Sequence, residues 1–124
     1  MVRTEVIRKV GLLAEEIFLY WDDPEFCARV RQAGYRLGVA PEAKVWHKTS
    51  STTGMETPFY HFHMNRSAMI YMRKHVASPL FPCLVGGLGR FTKRLLNRQF
   101  ACARATLRGM WDGWTTPLLP PTMV

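Results

Sequence analysis

The sequence predicts an α/β fold: a helix, a short β-hairpin and further helices over residues 1–78, then a mostly helical segment over residues 79–124. Three observations predict it. Between residues 18 and 47 a punctuated, apolar-faced helix pattern gives way to period-2 alternation. Thr57 and Pro58 restart a helix as N-cap and first helical residue. From Ser78 onward the texture turns basic and is broken by prolines and glycines.

Taken in order, Thr4 can cap a short helix over residues 5–10, with Gly11 ending it. Leu12, Leu13, Ile17, Phe18, Leu19, Tyr20 and Trp21 are too apolar for a free loop and are expected to pack under the acidic pair that follows. Asp22 and Asp23 stand directly before Pro24, which suits the first helical position, so Asp23 is expected as N-cap. Phe26, Val30 and Ala33 recur at i, i+4 and i+7 and form the apolar face. Glu25 and Arg29 form an i, i+4 pair expected on the exposed side. Gly34 stops the helix as its C′ residue. Tyr35, Leu37 and Val39 then alternate with Arg36, Gly38 and Ala40, the pattern of a strand. Pro41 and Glu42 turn the chain, and residues 43–47 read as a second extended segment.

Residues 48–57 are a polar loop rich in Ser and Thr. The next helix is expected from Phe59 to about Val76, with apolar residues on both sides, as in a buried helix. Pro79 ends it at or before Ser78. Gly86, Gly87 and Gly89 interrupt the chain, and one long amphipathic helix is expected from about Phe91 to Trp114. Its apolar face is Leu96, Phe100, Ala103, Leu107, Met110 and Trp114, opposite Arg90, Arg94, Arg98 and Arg108. Gly109 and Gly113 weaken its last turns, and the Pro-rich end is expected to fray.

The run GLLAEEIFLYWDDPEFCARVRQAGYRLGVAPEAKVWHK resembles the second half of the catalytic domain of glycosyltransferase family 2, inverting GT-A enzymes, in its rhamnosyltransferase-like members. The resemblance covers about the first 78 residues and is specific in order and spacing. Ala14 stands where the family has Asp, Asp22 where it has Glu, and Glu25 where Asp is common. The resemblance implies a fragment of an enzyme that moves a sugar from a nucleotide-sugar donor to a cell-surface polysaccharide or lipid-linked glycan acceptor. It also implies a GT-A-like region over residues 1–78, the acceptor-side half of a catalytic domain. No Asp-x-Asp occurs in the chain, and no nucleotide-binding sheet is visible, so the 124 residues alone are expected not to transfer sugar. The other reading is a non-catalytic remnant that binds a membrane or a protein.

The resemblance assigns roles residue by residue. Asp23, with Asp22 beside it, matches the pair whose Asp is the base that takes the acceptor hydroxyl's proton. The plain alternative is a helix cap, and a carboxylate can do both, having two oxygens. His47 matches a ligand for a divalent Mg or Mn ion, expected in the full-length parent and not in this chain; otherwise it is a histidine satisfied by one hydrogen bond. Arg66 matches an Arg that would contact the donor diphosphate or an acceptor phosphate. Its alternative is an internal salt bridge to Asp22 or Asp23, since an arginine on an apolar face is costly to leave unpaired.

The chain carries 17 Lys and Arg against 9 Asp and Glu, a net charge of +8. Residues 1–78 hold a net +3, whereas residues 79–124 hold six basic residues and only Asp112, a net +5. Such a segment seeks an anionic partner. An amphipathic basic helix suits an anionic membrane surface; it would equally pack on the catalytic region with a solvated basic face. No recognisable motif supports nucleic acid. The N-terminus has no apolar signal-peptide core, and the expected place is the cytoplasm, peripheral on the inner face of the cell membrane. Cys27, Cys83 and Cys102 are odd in number and far apart, so no disulfide framework is expected. With His61 and His63 they make no zinc pattern.

Overall fold

The computed structural model describes residues 1–46 and 56–123. Its elements are helices: α1 (Thr4–Val10), α2 (Asp22–Gln32), α3 (Pro58–His75), α4 (Leu80–Leu96) and α5 (Phe100–Thr115). Among the described residues there is no strand, so the expected α/β class is overturned. The turn of the expected hairpin is present, closed by a 3.0 Å bond from the Ala43 N–H to the Ala40 carbonyl, but Leu37 and Val39 are both exposed, so the alternation separates no buried face from a solvent face. A strand, however, is a ladder, and residues 35–46 have no partner strand to bond among the described residues. Val39, Val45 and Trp46 stand almost fully in solvent as a result.

The helix ends explain themselves from the sequence. Gly34, at φ 88°, takes the left-handed C′ position of α2. Its N–H bonds to the Arg31 carbonyl and that of Tyr35 to Val30, the paired bonds of a Schellman motif. Tyr35 then packs on Val6, Val10 and Val30, the small core between α1 and α2. Thr57 Oγ1 accepts from the Tyr60 N–H at 3.2 Å, with Pro58 behind it, and starts α3. Thr4 lies within the first turn of α1, whose N-cap is Arg3 and has no side-chain cap bond.

The long helix expected over residues 91–114 is two helices. α4 runs straight through Gly86, Gly87 and Gly89, and the break comes at Asn97–Arg98–Gln99. There Arg98, at φ 56°, occupies the C′ position that Gly usually takes. Its N–H bonds to Leu95 and that of Gln99 to Arg94. The glycines serve contact instead. A methyl at Gly109 would sit 2.3 Å from the Phe62 carbonyl oxygen, and one at Gly113 would sit 2.2 Å from that of Arg66. Their four-residue spacing lets the backbone of α5 lie directly on α3. Gly87 makes room for Met110, joining α4 to α5.

The C-terminal stretch does not fray. The Leu12 N–H bonds to the Thr122 carbonyl at 2.9 Å, and Thr122 Oγ1 donates to Glu15. The tail therefore clasps residues 11–15 and helps set the path of the segment that leads to α2.

Candidate functional site

The segment from Gly11 to Trp21 crosses the face of α3 and delivers Asp22 to the start of α2. Ala14 and Ile17 bury themselves against Ile70 of α3 and anchor it. Polar groups on α3 hold its carbonyls: Arg66 Nη1 donates to Glu16 at 2.6 Å, and Ser67 Oγ donates to Leu19 at 2.8 Å. Leu12, Leu13 and Phe18 remain about half exposed or more, so only part of the apolar run packs as expected.

At the end of this segment the backbone is forced. Tyr20 and Trp21 have φ values of 62° and 65°, both left-handed. For bulky side chains this conformation costs about 1–3 kcal/mol each and persists only where surrounding contacts determine it. Those contacts are visible. The Trp21 indole N–H points at the Met64 sulfur 3.2 Å away, its ring lies on Tyr71, and Tyr20 meets Tyr60 edge to face. The Glu25 N–H bonds to the Trp21 carbonyl. The strained pair acts as a bracket that turns the chain sharply into α2.

This corrects the expected cap. Trp21, not Asp23, is the N-cap residue of α2, and Asp22 and Asp23 fall in its first turn. Negative charge there is favoured by the unpaired N–H groups of the helix start. Asp23 is exposed and Asp22 half-buried. Together with Leu19, Tyr20, Trp21, Pro24 and Met64 they line an open cleft of about 460 Å³. Carboxylate oxygens with no partner among the described residues, over an aromatic floor, can accept a proton from a hydroxyl group laid in the cleft.

Behind the cleft lies a network that sequence reasoning misplaced. Glu25 and Arg29 are buried, not exposed, and Glu25 has no accessible surface. Arg29 Nε lies 3.0 Å from both Glu25 oxygens, while its Nη groups donate to the Val10 and Leu12 carbonyls. Lys74 Nζ sits 2.7 Å from Glu16 and 3.4 Å from Glu25. His75 Nε2 is 3.3 Å from Glu25, and its Nδ1 faces the Gln32 amide at 3.2 Å. That amide as donor leaves Nε2–H to donate to Glu25. Burial by itself raises the Glu25 carboxyl. The Arg29 hydrogen bonds and charge, with Lys74 and His75, outweigh it and hold the group below its ordinary range. The network locks α1, α2 and α3 at the root of the acidic turn. An i, i+4 pair signals helix but not which face is buried, and nothing in the sequence brings Lys74 and His75 to Glu25.

Arg66 does not pair with Asp22 or Asp23. Its Nε donates to Asp112 of α5 at 2.5 Å, and its Nη2 lies 3.3 Å from Thr116 Oγ1. His47 lies outside the described residues. Among the described residues no three His, Cys, Asp or Glu side chains converge as a metal centre requires, so the groups present do not by themselves fit a divalent ion.

The chain is 29% identical over 83 residues to the dTDP-rhamnosyl transferase RfbF of Shigella flexneri, a match that takes in 60% of this chain. The chain spans 28% of that relative's length. No family model matches, and no solved structure matches. The chain is thus similar to part of a glycosyltransferase.

Proposed function

We propose that this chain forms the acceptor-side part of an inverting glycosyltransferase of family 2, with a GT-A ancestry, acting in cell-surface polysaccharide or lipid-linked glycan assembly. The observation that carries the reading is the acidic turn. A strained aromatic bracket presents Asp23 to an open cleft, in a chain similar to a dTDP-rhamnosyl transferase. Transfer with inversion needs a base at the acceptor hydroxyl while its oxygen attacks the anomeric carbon. Asp23 is that base: its carboxylate takes the hydroxyl proton as the carbon–oxygen bond forms and the nucleotide leaves. Asp22 sits beside it on the same turn and holds negative potential over the cleft. Tyr20 and Trp21 supply a flat apolar wall for the acceptor ring.

The donor nucleotide sugar and a divalent Mg or Mn ion belong to the longer enzyme in this reading, and His47 of this chain would be one ligand of that ion, which would neutralise the leaving diphosphate. Arg66 would reach the donor's diphosphate by exchanging its Asp112 carboxylate for the anion. A grafting experiment tests the proposal. The matching segment of the Shigella transferase is replaced by this chain, and dTDP-rhamnose turnover is measured. The chimera is expected to retain transfer, and Asp23→Asn in it to lower kcat by about 10²–10⁴-fold. A soluble, helical chimera in which Asp23→Asn is as active as its parent would remove the base assignment; one inactive from the start would remove the function.

A further inference from the structure

α4 is turned inside out. Its polar residues Arg90 and Arg94 face inward: Arg90 Nε donates to Asn65 Oδ1 of α3 at 2.6 Å, and Arg94 pairs with Glu56 and with Gln99. Cys83 and Gly87 complete this inner side, both buried. The opposite half of the helix is apolar and faces outward. Leu80, Phe81, Leu84, Val85, Leu88 and Leu96 are each more than half exposed. Thr92, the polar residue in that arc, folds its hydroxyl back onto the Leu88 and Gly89 carbonyls, so it adds no unsatisfied donor.

The arc does not stop at the edge of α4. Leu80 and Leu84 share a depression with Trp111 and Trp114 of α5. On α5, Arg104, Arg108 and Trp111 fall at i, i+4 and i+7, one stripe of the helix. Arg104 and Arg108 are exposed, as are Lys93 and Arg98 at the turn between the helices, and all four lack an ion-pair partner among the described residues. The acidic residue of this hairpin, Asp112, is taken by Arg66.

From this we infer that the α4–α5 hairpin is a docking surface for an anionic lipid bilayer, with the outer arc of α4 sunk at the headgroup boundary and the arginines of α5 on the phosphates. The pattern of a large apolar face, a tryptophan edge and flanking cations is that of a helix lying in the interface plane. The helix lies on the membrane and does not span it: no helix among the described residues is long and apolar enough to cross. Charge decides between a bilayer and a second copy of this chain. A two-fold pairing of the same patch would bring two cationic surfaces together with no free carboxylate on this hairpin among the described residues to offset them, whereas lipid phosphates neutralise them. The inference needs no catalysis and stands apart from the sugar-transfer proposal.

Co-sedimentation of the 124-residue chain with vesicles tests it. Binding is expected to phosphatidylcholine–phosphatidylglycerol vesicles, to weaken in high salt, and to be far weaker to phosphatidylcholine alone. Phe81→Asp with Leu88→Asp removes binding with the helical circular dichroism unchanged, since both side chains already stand in solvent. Arg104→Gln and Arg108→Gln each weaken it about fivefold, the share of one basic residue at an anionic surface. Absence of sedimentation with the anionic vesicles overturns the inference, as does binding that survives the double aspartate variant. A dimer in light scattering that this variant dissolves would assign the surface to a second copy and equally overturn it.

Discussion

Replacing Glu25 by Gln keeps its volume and removes its charge at the centre of the buried network. Arg29 then loses a carboxylate bonded at 3.0 Å, Lys74 loses a neighbour at 3.4 Å, and the cluster gains a net positive charge in a site with no access to water. Breaking a buried pair from one side costs about 3–5 kcal/mol. Two features pull the cost to the lower end. Arg29 keeps the Val10 and Leu12 carbonyls, and Lys74 keeps Glu16 at 2.7 Å. About 3 kcal/mol is therefore expected, close to a 10 °C fall in Tm for a chain of this size. Thermal and urea unfolding at pH 7, followed by circular dichroism, measure it.

The pH profile provides a second, independent reading of the same group. Its native pKa lies below the ordinary 4.5, so the folded state binds fewer protons than the unfolded chain in that range. The stabilisation is complete above pH 4.5 and is lost as pH falls through the depressed native value. The parent should lose this share of stability on acidification; Glu25→Gln, lacking the group, should not. A loss under about 1 kcal/mol at pH 7, within the range of an exposed pair, together with matching acid profiles, would show that Glu25 and Arg29 are solvated and that the network does not brace the acidic turn.

Three further outcomes follow from the packing and the histidines. Gly113→Ala gains about 1 kcal/mol of helix propensity, but its methyl meets the Arg66 carbonyl oxygen at 2.2 Å. Overpacking of that kind costs about 1–3 kcal/mol, so a net destabilisation is expected in urea titration, and a more stable variant would mean that α5 does not touch α3 there. Arg98→Gly relieves a left-handed residue at φ 56° in the α4–α5 turn and should raise stability by about 1 kcal/mol in the same titration. His61 and His63 on α3 are held below their ordinary pKa of 6.5 by burial, with the charges of Arg94 and Arg66 adding to it. Both therefore resist protonation in the fold, and stability should fall as pH drops below 6.5, a decline that a His61→Phe, His63→Phe double variant would flatten.

Much of this protein was legible along the chain. The left-handed stop at Gly34, the Thr57–Pro58 start and the Pro41–Glu42 turn depend on backbone chemistry within a few residues, and the structure keeps all three. The acidic pair does open α2, but within its first turn rather than at its cap, with Trp21 as the N-cap. Tertiary structure decided the rest, because periodicity marks a face and never says what lies opposite it. Residues 35–40 alternate like a strand yet have no ladder to join among the described residues. Glu25 and Arg29 look like a solvent pair until α3 arrives with Lys74 and His75. The arginines of α4 turn inward because Asn65 and Glu56 wait there, and its leucines are left outside.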